Sequence, residues 1–330
     1  MEHHAIAIDY RNGLQENVHT GSICIIDENH ELIYSAGDIH TPLFYRSAMK
    51  PIQAVPVFKT DIIEKYNLTN QEAALFIASQ RGESYHETSL NSVRVKMMVD
   101  ENELVCAKSY PLNESPKVRY IKEGKEKRKL MHNCAGKHLG FMGFAKMKGI
   151  PSDGYESMDH PIQQEILHSL SELAEVKEED IISGVDGCGV PVHAVPLQNM
   201  AISYMKFADP EKIESNELRN SVEKIVRLMS ASPEIIASEN FICTVLLEDD
   251  NIVAKGGAEG VYCLALKREK ISIALKVLSG SERVWPILVA KLLEKINYSN
   301  EETISSLKSL DSQYIRNDFG EIVGETKINI

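Results

Sequence analysis

Apolar residues follow two kinds of pattern along this chain. In segments 160–175, 215–230 and 282–297 they recur at helical spacing, as with Ile162, Ile166, Leu170 and Leu173, and predict amphipathic helices. Elsewhere short apolar runs bounded by turn residues predict strands. SICIIDE (22–28) and LIYSAG (32–37) flank Asn29 and His30 and read as a β-hairpin. From Phe241 onward FICTVLLED, NIVAKG, GVYCLAL and ISIALKV read as a second set of strands. A helix is expected from about Ser47, short or kinked because of Pro51 and Pro56, and a second, QEAALFIASQ, capped by Asn70 and ending near Ser79. Strands at both ends and helices between them predict an α+β fold. It would be a single domain over 1–330, whose N- and C-terminal segments meet in one antiparallel sheet around an inserted helical lobe at about 60–235.

Composition narrows the function more than the fold. With 330 residues, 43% hydrophobic and 25% charged, the chain can bury a large core. A formal net charge of -12 argues against nucleic acid or an anionic membrane as partner and favours a small molecule. No apolar stretch is long enough to span a bilayer and the N-terminus lacks a basic-then-apolar signal, so a cytoplasmic location is expected. Six scattered cysteines suit reduced thiols better than a disulfide framework. Residues 117–129 hold seven Lys or Arg against two Glu and read as a solvated, mobile loop.

The candidate chemistry begins at Ser47 and Lys50. Residues i and i+3 share one face of a helix, so a lysine amine there can serve a serine as base. Ser79 closes a predicted helix before Gly82 and is either a cap or an exposed second hydroxyl. Lys255 precedes Gly256 and Gly257 on a predicted strand. Such glycines permit close approach of a ligand to backbone, with the lysine as either its charge partner or a solvated hairpin residue.

Taken in order, these three elements resemble the motifs of serine β-lactamases and penicillin-binding proteins. Four longer blocks are more specific: RSAMKPIQ (46–53), HNCAGKHLGFM (132–142), DGCGVPVHAVPLQNMA (186–201) and KGGAEGVY (255–262). With NDFGEIVG at 317–324, they resemble the rhizobial-type, thermolabile (class 3) L-asparaginase family. That resemblance implies a β-lactamase-like fold and hydrolysis of L-asparagine to L-aspartate and ammonia. Ser47 would be the nucleophile and Lys50 its base, with Ser79 and Lys255 as a second pair. Arg46, Gly256 and Gly257 would line the substrate, and a homodimer would be the assembly. Lys267 and Lys276 are the alternatives to Lys255. The resemblance also implies zinc held by Cys134, Lys137 and Cys188; by spacing alone these cysteines read as ordinary buried thiols. His132, His138 and His193 flank the cysteines as packing residues or alternative ligands.

The chain departs from the family pattern in three places. Gln80-Arg81-Gly82-Glu83 follows Ser79 where His-Ser-Gly-Glu is usual. Cys106-Ala107-Lys108-Ser109 replaces Cys-Gly-Pro-His, and Glu239-Asn240-Phe241 replaces a Gly-Arg-Phe element. Changes beside the second serine and at a carboxylate-binding arginine leave other readings open: a glutaminase-like or other serine amidohydrolase, or a member that binds amino acids without turnover.

Overall fold

The computed structural model describes residues 4–310 and 313–330. Its strands in chain order are β1 (His4–Arg11), β2 (Leu14–Asp27), β3 (Leu32–Ala36), β4 (Pro42–Phe44), β5 (Ile182–Val185), β6 (Pro191–Pro196), β7 (Ile252–Gly256), β8 (Val261–Leu266), β9 (Ile271–Val277), β10 (Tyr314–Arg316) and β11 (Ile322–Ile328). The chain forms two compact units. One runs to Ala48 and includes Val195–Ala208 and Asn240–Ile330; the other comprises Met49–Ala194 and Asp209–Glu239.

The first unit is the expected antiparallel sheet of N- and C-terminal segments. Its order is β10-β11-β1-β2-β9-β8-β7, with β3 also on β2. The predicted hairpin pairs Ile23 with Ala36, its turn made by His30 at φ +65°. All six residues of β8 are buried, which requires cover on both faces, and the helix Leu197–Ala208 lies along β2, β8 and β9. FICTVLLED is a helix, Ile242–Leu247, and not the expected strand. Ile242, Cys243, Thr244, Leu246 and Leu247 are all buried, so the run carries no periodicity to separate a short buried helix from a buried strand.

The second unit is mainly helical. The helices Pro161–Ala174 and Asn216–Ala231 fall where the apolar spacing places them, and Trp285–Lys295 does so in the first unit. QEAALFIASQ is shorter than expected. Its helix stops at Ala74, and Thr69, not Asn70, caps it in a reciprocal box with Glu72. The basic run is not simply a loop, because its first part belongs to the helix Glu114–Lys122. No described helix is long and apolar enough to cross a membrane.

Asp9 fastens the sheet unit. Its carboxylate accepts two hydrogen bonds from the Arg283 guanidinium at 2.7 Å, one from Thr326 on β11 at 2.7 Å, and contacts His19 on β2 at 3.1 Å. Burial alone would raise its pKa, but the hydrogen bonds from Thr326, Arg283 and His19 together lower it to about 2. A carboxyl depressed on folding adds stability that is fully present above its unfolded value and is lost as pH falls through about 2. Asp9→Asn is therefore expected to cost about 1–3 kcal/mol at pH 7. In acid denaturation, the gap between wild type and variant is expected to close between roughly pH 4 and pH 2. A pH-independent gap would remove the charge from this account.

Candidate active site

In the helical unit the chemistry centres on a lysine that cannot reach water. The chain runs from a 3-10 turn, Arg46–Met49, into two single-turn helices, Lys50–Gln53 and Val55–Phe58, each with a proline in its first turn. Proline fits the start of a helix and stops it propagating from upstream, so the segment is chopped as the sequence predicts. Lys50 is 1% exposed. Its ammonium donates to Ala78 O at 2.7 Å, Ser79 Oγ at 2.9 Å and Asn133 O at 3.2 Å, using all three of its donors. Ser79 is fixed through its own N–H, which donates to Ile236 O at 2.8 Å.

Burial pushes the Lys50 amine below its ordinary value. The Lys137 cation acts in the same direction, while Cys134 and Cys188 oppose it. Within this unit the cation beside Lys50 is Lys137.

The thiols gather around that second lysine. Cys134 precedes the helix Ala135–Lys148, and Lys137 lies in its first turn, wholly buried. Lys137 Nζ is 3.2 Å from Cys188 Sγ. The sulfurs of Cys134 and Cys188 and a carboxylate oxygen of Asp186 lie within 4.8 Å of one another. A hydrogen bond from Cys188 lowers the Cys134 pKa strongly against its burial, with Lys50 and Lys137 helping, and the same contact together with burial raises that of Cys188. Burial works against a charge on Lys137, but Cys188, Cys134 and Asp186 outweigh it and raise its pKa. Two sulfurs and a carboxylate at this spacing are donor types that zinc accepts, with the Lys137 amine beside one of the sulfurs.

Asp186 was missed in sequence. It lies two residues before Cys188 in a turn closed by Gly189 N to Asp186 O at 2.9 Å, and a lone aspartate in a glycine-containing loop gives no signal by spacing. Each histidine has a hydrogen-bond partner within the protein: His132 Nδ1 accepts from Cys134 N at 3.1 Å, His138 pairs with the Tyr155 hydroxyl at 2.7 Å, and His193 with Ser183 at 2.8 Å.

The sheet unit places Ser47, Arg46 and the 255–257 strand end together. Arg46, just before the serine, is held at φ +51°, a left-handed conformation that costs energy outside glycine and gathers at functional sites. Gly257 follows β7, and a Cβ there would lie 2.3 Å from Tyr45 O and 3.1 Å from Ala48 N. Only glycine lets this backbone meet the Ser47 turn. Lys255 is buried on β7 and donates to Gly256 O at 2.9 Å, so the solvated-hairpin alternative does not hold. The Gly256 N–H donates to Cys243 Sγ at 3.2 Å. Lys267 instead donates to Asp250 O at 2.6 Å and Lys276 bonds Glu259 O; both are less buried than Lys255.

A profile of the family described as L-asparaginase II matches residues 7–328. The chain belongs to the L-asparaginase II family. Membership of that family supports an amidohydrolase. No curated protein is recognisably similar in sequence. Among solved structures, a candidate β-lactamase from Bacteroides dorei shares 12% identity at a TM-score of 0.45, with 84% of this chain and 93% of that one aligned. A β-lactamase from Mycobacterium bovis shares 10% at 0.41, covering 83% and 94%. The protein Mglu shares 14% at 0.38, covering 84% of this chain and 60% of its own.

Helix Ala135–Lys148 approaches Leu75 closely enough that a Cβ on Gly136 would lie 2.1 Å from the Leu75 carbonyl oxygen. Backbone cannot yield as a side chain can, so Gly136→Ala is expected to destabilise the protein by about 1–3 kcal/mol. It is also expected to displace Cys134 and Lys137 from Cys188. Thermal unfolding and the thiol reactivity of Cys134 measure the two effects; unchanged values in both would mean that the helix does not depend on this contact.

Proposed function

We propose that this L-asparaginase II family member hydrolyses L-asparagine to L-aspartate and ammonia through a serine activated by Lys50. The observation that carries the reading is the buried Lys50 amine, depressed in pKa and hydrogen-bonded to Ser79 Oγ at 2.9 Å. A lysine can take a proton from serine only in its neutral form, and burial favours that form. In this proposal Ser47 attacks the side-chain amide carbon. Its proton passes to Lys50, with Ser79 as relay, and is returned to the departing ammonia; water then releases aspartate from the acyl-enzyme. Lys255 and Gly257 would hold substrate beside the Ser47 turn, and Arg46 would contribute charge.

A second reading is favoured by one specific contact. The hydroxyl that Lys50 meets in the helical unit belongs to Ser79, which makes Ser79 a candidate nucleophile. Ammonia release and intact-mass detection of the acyl-enzyme on Ser47→Ala and Ser79→Ala separate the two. Loss of the nucleophile costs about a millionfold in turnover, loss of a proton relay about 100- to 10,000-fold. If the larger loss and the missing adduct belong to Ser79→Ala, the roles exchange. If each variant keeps a tenth of wild-type rate, the serine mechanism falls. Replacing L-asparagine by L-glutamine in the same assay tests the substrate assignment, and stoichiometric binding of L-asparagine without ammonia release would favour a binding protein.

Zinc belongs to the same proposal, with Cys134, Lys137 and Cys188 as ligands and Asp186 as a further donor. A bound divalent cation would supply positive charge and would fix both thiols as thiolates. Lys137 can ligate only as a neutral amine, which costs at least about 4.6 kcal/mol at pH 7, the figure for an ordinary value near 10.4, since its neighbours raise it further. Structural zinc sites release about 10–16 kcal/mol, enough to offset that. Each ligand that must lose a proton adds about one log unit of affinity per pH unit, so three predict a slope of up to three between about pH 6 and 8, nearer two to the extent that Cys134 is already a thiolate. A wild-type slope that is unchanged in Lys137→Met would take Lys137 out of the ligand set; absence of stoichiometric zinc would remove the site.

A further inference from the structure

The basic run that the catalytic reading leaves unused borders a cavity of its own in the helical unit. The space, of about 510 Å³, opens among the helix Ser84–Lys96, the turn at Asp100–Asn102, Lys108, and the segment Tyr120–Arg128. That volume matches a small-molecule site. Its far wall is built and not merely solvated. Ser109 and Arg128 exchange backbone hydrogen bonds at 3.0 and 3.1 Å, which joins the loop carrying Lys108 to the end of the basic run. Lys129 is tied to Asn102 O at 2.8 Å and to Leu104 O.

Charge in the cavity is unevenly committed. Glu101 is taken by Arg128 at 2.7 Å, and Glu87 lies 3.7 Å from both Arg128 and Lys125. Lys125 is paired with Glu123 at 2.9 Å. Asp100 uses an oxygen to cap its turn, accepting from Asn102 N at 3.0 Å, and Glu126 is an exposed carboxylate on the same lining, so the wall carries five cations against four carboxylates. Three cations on the wall remain without a carboxylate among the described residues. Lys108 is exposed, Lys127 lies only over the Tyr110 ring at 5.5 Å, and Arg94 reaches Val99 O at 3.4 Å while its buried Nε has no partner. An anion in the cavity is a natural partner for the Arg94 guanidinium where it lines the wall, and for the two lysines.

We propose that this cavity binds a small polyanion, one carrying two or more carboxylate or phosphate groups, through Arg94, Lys108 and Lys127. The site is independent of the asparagine reading and of the zinc ligands.

Calorimetric titration of the full chain with citrate and with pyrophosphate tests it, at about 20 mM and 300 mM salt. Binding with a Kd below about 1 mM at low salt is expected for at least one probe, weakening with salt as exposed charges are screened. The probe that binds more tightly identifies carboxylate or phosphate as the preferred group. The double variant Lys108→Met/Lys127→Met, both exposed positions, is expected to bind at least about 10-fold more weakly with an unchanged melting temperature. Failure of both probes to bind, or equal binding by the double variant, overturns the proposal.

Discussion

A lysine ammonium removed from water must find acceptors or lose its proton, and the helical unit is arranged around one that does both in part. Lys50 has two carbonyls and a hydroxyl at hydrogen-bond distance, contributed by two remote segments, 78–79 and 133. Those segments hold their places only because the glycine face of the helix Ala135–Lys148 lets its backbone sit against Leu75 and Phe76. Leu75 begins the short 3-10-like run that ends at Ser79, with Ile77 and Ala78 bonded back to Ala74 and Leu75. Packing of two backbones therefore sets the geometry of a proton-transfer pair.

Two fully buried lysines in this unit respond in opposite senses. Lys50 is pushed toward neutrality, whereas Lys137 is held charged. Burial is the largest influence on both and disfavours the charge on both, so the difference comes from the neighbours. Lys137 sits against the sulfur of Cys188 and feels the Asp186 carboxylate as well as Cys134, while Lys50 donates to uncharged carbonyl and hydroxyl groups and the pull of the thiols on it does not outweigh its burial. Proximity of the two cations then amplifies the split, because the one better compensated by anions stays charged and further disfavours the other. This is how one buried pocket can keep a cation and prepare a base within the same unit.

The architecture was legible in sequence where periodicity was clear. Ile162, Ile166, Leu170 and Leu173 mark a helix with one buried face, and the alternation around Asn29–His30 marks a hairpin. Runs buried on every side were ambiguous, which is why Phe241–Asp249 read as a strand. The proline-divided turn after Ser47 was visible because proline acts locally. At the candidate site, Lys50 and Ser79 could be named by motif, but their hydrogen bond is a product of tertiary packing. Neither the gathering of Cys134, Cys188 and Asp186 nor the role of Lys137 beside Lys50 leaves a mark in residue spacing, since whole helices separate the partners in sequence. Burial of Lys255 was equally hidden, because the sequence around it fits a surface hairpin as well as a core strand.

The register of the sheet has a bearing on how the chain reaches this state. β1 is flanked by β2, its neighbour in sequence, and by β11, which pairs Ile328 with Ala7. β2 waits similarly for β9, whose Ile271 meets Asp27 roughly 240 residues later. Contacts of such sequence separation carry a loop-closure penalty that must be met before they contribute any stability, and they slow folding. During synthesis at about 5–20 residues per second, the first hairpin would stand with both outer edges unpaired for on the order of ten seconds or more. For that interval the apolar run Ile23–Ile26 has β3 on one side and lacks β9 on the other. The same closure that makes the finished sheet a single cooperative body exposes its earliest part to self-association while the chain is being made.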